Sequence, residues 1–166
     1  MVHDDKLRAD RLVFYENDVE RLDEKLDSFL ELSGAHSAML IDREGHLVTR
    51  RGEPLSSPVE SIAALIAGSF AATREMARLL GENEFTTMHH QGERDSIQLH
   101  LVGERTLFVI LFDDRTNLGL VRFYAQETCV QLAEIMEELL EREPDETMEL
   151  SPEFSADAAS ALDDLF

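Results

Sequence analysis

The sequence predicts an α/β sandwich: a five-stranded, mainly antiparallel sheet with helices on both faces, in the order α-ββ-α-βββ-α. Three observations predict it. Short β-rich runs are joined by the tight-turn sequences DREG (42–45) and GERD (92–95), which make hairpins and therefore antiparallel neighbours. Three longer stretches repeat apolar residues at three-to-four spacing, as helices with one buried face do. The run Leu107-Phe108-Val109-Ile110-Leu111-Phe112 does not alternate, so its strand is covered on both sides and helices must lie above and below it.

The first helix is expected over 7–32, with a stripe of Leu12, Tyr15, Val19, Leu22, Leu26 and Phe29 ended by Ser33-Gly34. HSAMLID (36–42) and HLVTR (46–50) form a hairpin around DREG. After the loop RGEPLSS, Ser57 is expected to cap the second helix, with Pro58 at its first position and Glu60 completing a capping box. That helix runs to Leu80, where Gly81 supplies a left-handed stop. Ile62, Ile66, Phe70, Thr73 and Ala77 are its expected sheet-facing stripe. Strands FTTMHHQ (85–91), SIQLHLV (96–102) and TLFVILFDD (106–114) follow. The last helix starts near Thr116-Asn117 and reaches about Leu140, burying Leu118, Val121, Ala125, Leu132, Ile135, Met136 and Leu139. The organisation is thus a domain over 7–141, an acidic linker over 142–153 and an amphipathic C-terminal motif over 154–166.

Composition narrows the function. An apolar content of 43% excludes a wholly disordered chain. With 35 acidic against 15 basic residues, a formal charge of −20 speaks against nucleic acid or an anionic membrane surface as partner. No apolar run approaches the ~18 residues that span a bilayer. The start is acidic from position 4 and lacks a secretory core. The single cysteine, Cys129, lies in a helical pattern and reads as a buried structural thiol, so a cytoplasmic setting is expected.

FTTMHHQGERDSIQLH concentrates three histidines. If GERD is the turn, Gln91 pairs with Ser96, His90 with Ile97 and His89 with Gln98. His89 and His90 then point to opposite faces, and His100 is diagonal to His89. Two imidazoles without a third ligand make a weak metal site, so a polar hairpin near an edge or subunit contact is the expectation. A pH sensor or a small-molecule site on the His89/His100 face stays open. Phosphate-loop, dinucleotide, nucleophile-elbow and zinc-protease motifs are absent. No catalytic, cofactor-binding or metal residue is assigned, and the chain is not expected to be an enzyme.

Two stretches point to partners. The second helix carries a bare stripe of Glu60, Ala64, Ala67, Gly68, Ala71 and Glu75. Alanine alone is a good helix former, but a helix-interior glycine costs ~1 kcal/mol, so Gly68 favours a close contact with another chain. In the tail, Leu162, Leu165 and Phe166 fall at i, i+3, i+4 behind Ala158 and Ala161, as in a motif that orders on binding; an inert terminus is the alternative.

AG at 67–68 with AA at 71–72, LLGENEF (79–85), GERDS (92–96), VILFDDRTNLGLVRF (109–123) and the final SALDDLF resemble the roadblock/LC7 family. Within it they resemble the MglB-type regulators of bacterial Ras-like small GTPases. The resemblance covers roughly residues 10–141 and the tail. It implies a roadblock α-β-α sandwich and a homodimer in which the middle helix and its neighbouring strand meet their counterparts. It further implies a platform for an MglA-type GTPase, preferably GTP-bound. The platform stimulates hydrolysis by positioning the partner's own arginine and glutamine, in cell polarity or motility, with polar placement in the cell. Carried over residue by residue, the platform is Ala64, Ala67, Gly68, Ala71 and Ala72, with Glu75 beside them. Leu162, Leu165 and Phe166 would make a second, detachable contact. The chain departs from the family pattern at Arg74-Glu75, where glycines are usual. The alternative function is a non-catalytic scaffold that binds or localises a GTPase or motor component.

Overall fold

The computed structural model describes residue 14 and residues 16–141. Its elements are α1 (Glu16–Ser33), β1 (Ser37–Asp42), β2 (Leu47–Gly52), α2 (Val59–Leu80), β3 (Thr87–Gln91), β4 (Ser96–Val102), β5 (Thr106–Phe112) and α3 (Leu118–Glu141). The order is the expected one. All four strand pairings are antiparallel, in the spatial order β2-β1-β5-β4-β3.

β5 is the middle strand, and every one of its residues is buried. Phe108 and Ile110 meet Leu22, Leu26 and Phe29 of α1 and Val121 and Leu132 of α3. Leu107 and Val109 meet Ala63, Ala67 and Phe70 of α2 on the opposite face, with Met39, Ile41 and Leu99. Alternation along a pleated strand sends neighbours to opposite cores, so a strand shared by two cores must be apolar throughout. α1 and α3 run antiparallel across their face. Thr116 Oγ1 donates to the Ser33 carbonyl (2.6 Å) at one end, and Arg21 pairs with Glu138 (2.7 Å) at the other.

The histidine hairpin has the predicted register: Gln91 faces Ser96, His90 faces Ile97 and His89 faces Gln98. A turn of fixed length leaves one pairing that keeps the apolar residues on the covered side. In the DREG turn, Asp42 Oδ1 accepts from the backbone N–H groups of Glu44 (2.9 Å) and His46 (2.8 Å). Gly45 sits there at φ +93°, and a Cβ on it would fall 2.9 Å from Ala64 Cα, so no other residue fits between turn and helix.

Several expectations are corrected. The first described helix begins at Glu16 and Phe14 is not helical, so the helix expected over 7–32 is interrupted at Phe14; residues 7–13 and 15, with Leu12 and Tyr15 of the expected stripe, lie outside the described residues. Ser57 does not cap α2. Pro58 occupies the cap position with no side-chain hydrogen bond, and its carbonyl takes the N–H groups of Ser61 (3.2 Å) and Ile62 (3.3 Å). Proline without an N–H is well placed there, since the first amides of a helix lack intrahelical partners anyway. β3 begins at Thr87 rather than 85, and β5 ends at Phe112 rather than 114 because Asp113 and Arg115 turn into the next corner. Gly81 stops α2 as expected, at φ 80°, with the Gly81 and Glu82 N–H groups returning to the Arg78 and Ala77 carbonyls.

Candidate partner-docking surfaces

α2 alone covers its face of the sheet. Its buried residues are Ala63, Ala67, Phe70, Thr73 and Ala77. Ala67 is therefore a core residue, 4% exposed, and not part of an outward stripe; it is small because Leu107 and Val109 lie beneath it in one core. Ile62 and Ile66, expected to face the sheet, are only half-buried at the flank. Ala64, Gly68, Ala71, Ala72 and Glu75 are exposed. Ala64 has a reason within the chain, the Gly45 turn pressed against it. Gly68 has none: a Cβ there would meet nothing within 4 Å. A mid-helix glycine that relieves no contact costs stability without return inside this chain.

Arg74 and Glu75 are held within the chain. Arg74 Nε lies 3.8 Å from Glu84 Oε1, and Glu75 pairs with Arg78 one turn on. Glu84 also accepts from Arg43 Nη1 (2.6 Å), whose guanidinium sits 5.5 Å over the Phe70 ring and donates through Nε to the Glu104 carbonyl. The Arg43 hydrogen bond holds the Glu84 carboxyl below its ordinary range. One arginine thus ties the β1–β2 turn, the α2–β3 loop and the β4–β5 turn over the end of the core.

On its other flank α2 is apolar through residues that the expected platform did not include. Leu65 is 75% exposed and Leu79 73%, with Met76 and Leu80 also exposed. Leu65, Ile66 and Ser69 border a cleft of about 170 Å³ with Met88 and His90 of β3 and Ile97 and Leu99 of β4. β3 is an edge strand, so its outer backbone groups have no partner in this sheet. The signal was present: Leu65, Ala72, Met76 and Leu79 recur at helical spacing, on the flank next to the small residues.

The histidines divide between the two faces, as the pleat requires. His90 lines the cleft. His100 is buried on the α1/α3 side, where the amide nitrogen of Gln98 donates to its Nε2 (3.3 Å). An amide nitrogen cannot accept, so that imidazole is neutral. Burial, and then the charge of Arg122, lower its pKa from 6.5 to about 4. His89 stacks on Phe112 at 6.0 Å, and His89 Nδ1 and Gln98 Oε1 are buried without a hydrogen-bond partner. Among the described residues, the ligand-type trios whose atoms lie within 4.8 Å of one another are His36/Asp95/Asp113 and Asp42/Glu44/His46, neither of which joins His89 to His100. Burial pushes the Cys129 thiol up to about 12, which keeps it protonated and unreactive.

The motif stretches build corners. In FDDRTNLGLVR, Arg115 bridges Asp113 (2.9 Å) and Glu53 (2.6 Å), and Asn117 Oδ1 caps α3 by accepting from Leu120 N–H (3.0 Å). These contacts with Arg115 depress Asp113 to about 2. In GERDS, the Gly92 N–H bonds the Asp95 carbonyl (2.9 Å), and Asp95 Oδ1 meets His36 Nε2 at 3.3 Å. Leu162, Leu165 and Phe166 lie outside the described residues.

No helix among the described residues is long and apolar enough to cross a membrane. The roadblock/LC7 domain model matches residues 21–112. No curated protein matches the chain. Among solved structures, the gliding protein mglB of Thermus thermophilus is 38% identical at a TM-score of 0.73, covering 76% of this chain and 96% of its own. Myxococcus xanthus MglB is 35% identical at the same TM-score, covering 81% of this chain and 100% of its own. A roadblock/LC7 domain of Streptomyces avermitilis, at 14% identity and a TM-score of 0.63 over 69% of this chain and 97% of its own, shares the fold alone. The motifs that build the corners, the antiparallel five-stranded sheet between one helix and two, and these likenesses agree: the chain belongs to the roadblock/LC7 family and within it is similar to MglB.

Proposed function

We propose that this protein is a regulator that stimulates GTP hydrolysis by a bacterial Ras-like small GTPase of the MglA type. It acts as a homodimer joined through the β3 edge and the cleft beside it. The exposed residues Ala64, Gly68, Ala71 and Ala72, with Glu75 at their border, form the platform on which the GTP-bound partner sits. The observation that carries this is Gly68, a costly helix-interior glycine with open space around it. The likeness to MglB, which in Thermus thermophilus is a gliding protein, supports a role in polarity or motility. Arg74 lies 3.8 Å from Glu84, and Arg78 pairs with Glu75 one turn before it. In this reading stimulation works by holding the partner's own catalytic groups in place. The motif over 154–166 adds a second contact through Leu162, Leu165 and Phe166.

Single-turnover GTP hydrolysis by an MglA-type GTPase, titrated with this protein, tests the proposal. A large rate increase saturating near two chains per GTPase is expected. Ala71→Arg should abolish binding with an unchanged melting temperature, and removal of 152–166 should weaken it while leaving the dimer whole. Binding to the GTP form with an unchanged rate would make the protein a scaffold and overturn the activator reading.

A further inference from the structure

We infer that the outer face of α3, on the side of the sheet opposite the GTPase platform, is a docking surface for a cationic amphipathic helix of a partner protein. α3 buries Val121, Ala125, Thr128, Leu132, Ile135, Met136 and Leu139 against the core. At ~100° per residue, Phe123 and Val130 point the opposite way, two turns apart on one line. They are 66% and 60% exposed, with Leu120 at 45% one turn before. The Phe123 ring is set edge-on against Tyr124, centroids 5.1 Å apart. Large exposed aromatics are common anchors of protein contacts.

The charge around that line states the partner's chemistry. Glu127, Glu134, Glu137 and Glu141 are exposed, and none has an ion-pair partner among the described residues. Glu138 alone is paired, with Arg21. Glu137, Glu138 and Glu141 crowd the C-terminal end, where the helix dipole already favours cations and where no basic residue stands. Such a placement destabilises the isolated helix. Lysines or arginines of a partner helix laid along α3, flanking apolar residues that cover Phe123 and Val130, would relieve it. A second copy would bring the same glutamates against these, and the acidic tail of this chain would do likewise.

The test titrates the full-length protein with a fluorescent 18-residue peptide of leucine and lysine, its leucines on one helical face, read by anisotropy. Phe123→Ser with Val130→Ser should weaken binding about tenfold or more, and Glu134→Gln with Glu137→Gln should weaken it by a smaller factor that vanishes in high salt. Leu47→Ser, an exposed leucine on β2 at the far edge of the sheet, should leave it unchanged. Both α3 changes are at exposed sites, and an unaltered melting temperature verifies the fold. Equal binding by all variants would show only attraction to an acidic chain and overturn the proposal. So would loss of self-association in the Phe123/Val130 variant without peptide binding by the parent, because the occupant would then be a second copy.

Discussion

The two faces of the sheet are closed in different ways. On one, two helices, α1 and α3, lay Leu22, Leu26, Phe29, Leu132 and Met136 over Leu40, Phe108 and Ile110. On the other, a single helix offers mostly alanine and one phenylalanine. It reaches β1 and β5 but leaves Met88, Ile97 and Leu101 only partly covered, with Leu65 and Met76 exposed above them. A sheet five strands wide is broader than one helix of ~10 Å diameter can cover. The difference teaches that the first face carries the larger core, while on the second the apolar flank of α2 stays exposed beside the β3 edge.

That contrast can be broken or sharpened by substitution. Phe29→Ala, which opens the two-helix core beneath Phe108 (ring centroids 5.1 Å), should cost about 3–5 kcal/mol in chemical unfolding. A cost below about 1 kcal/mol would mean that this face does not carry the fold. Next comes His100, buried neutral in the same layer. Its pKa is about 4 against 6.5 when free, so the unfolded chain binds the extra proton first. Its contribution is whole above pH 6.5 and is lost as pH falls toward 4, amounting to about 3 kcal/mol. His100→Gln should flatten that stretch of the stability profile; an unchanged slope would assign it to other groups.

On the one-helix side the effects should be smaller and of another kind. Arg43→Met removes the charged partner of Glu84 while keeping a side chain over Phe70, and should cost about 1–2 kcal/mol. The Glu84 carboxyl, held low by Arg43, should return toward its ordinary value, as carbon-detected NMR titration would read; no movement would refute the clamp. Leu65→Ser, at a largely exposed position, should change monomer stability by less than about 0.5 kcal/mol yet shift sedimentation toward monomer. A large loss of stability with no change in association would reverse the assignment of the two faces.

How much was legible depended on how much each signal contrasts with its surroundings. The hairpin register was legible because GERD fixes the loop and one pairing keeps Met88 opposite Leu99. The centrality of β5 was legible because six consecutive large apolar residues allow no solvent face. Gly81 was legible because a left-handed stop follows directly from its missing side chain. The two sides of α2 were not, because alanine occupies both. Ala67 and Ala71 look alike in the sequence, yet one lies over Leu107 and the other in solvent. The Arg43–Glu84 clamp joins residues 41 positions apart, and no local pattern announces such a pair. Arg74-Glu75 looked like an intrusion on a docking face, while each charge finds a partner in its own chain.

By itself, then, the sequence determined the element order, the antiparallel register and the double-sided middle strand. All of these follow from short-range periodicity and turn chemistry, which neighbours along the chain enforce. Only the tertiary structure decided which alanines are core, where the apolar cleft opens beside β3, and that α3 presents Phe123 and Val130 among unpaired glutamates. Those outcomes depend on the angle at which each helix meets the sheet, and that angle is set by the packing of side chains distant in sequence.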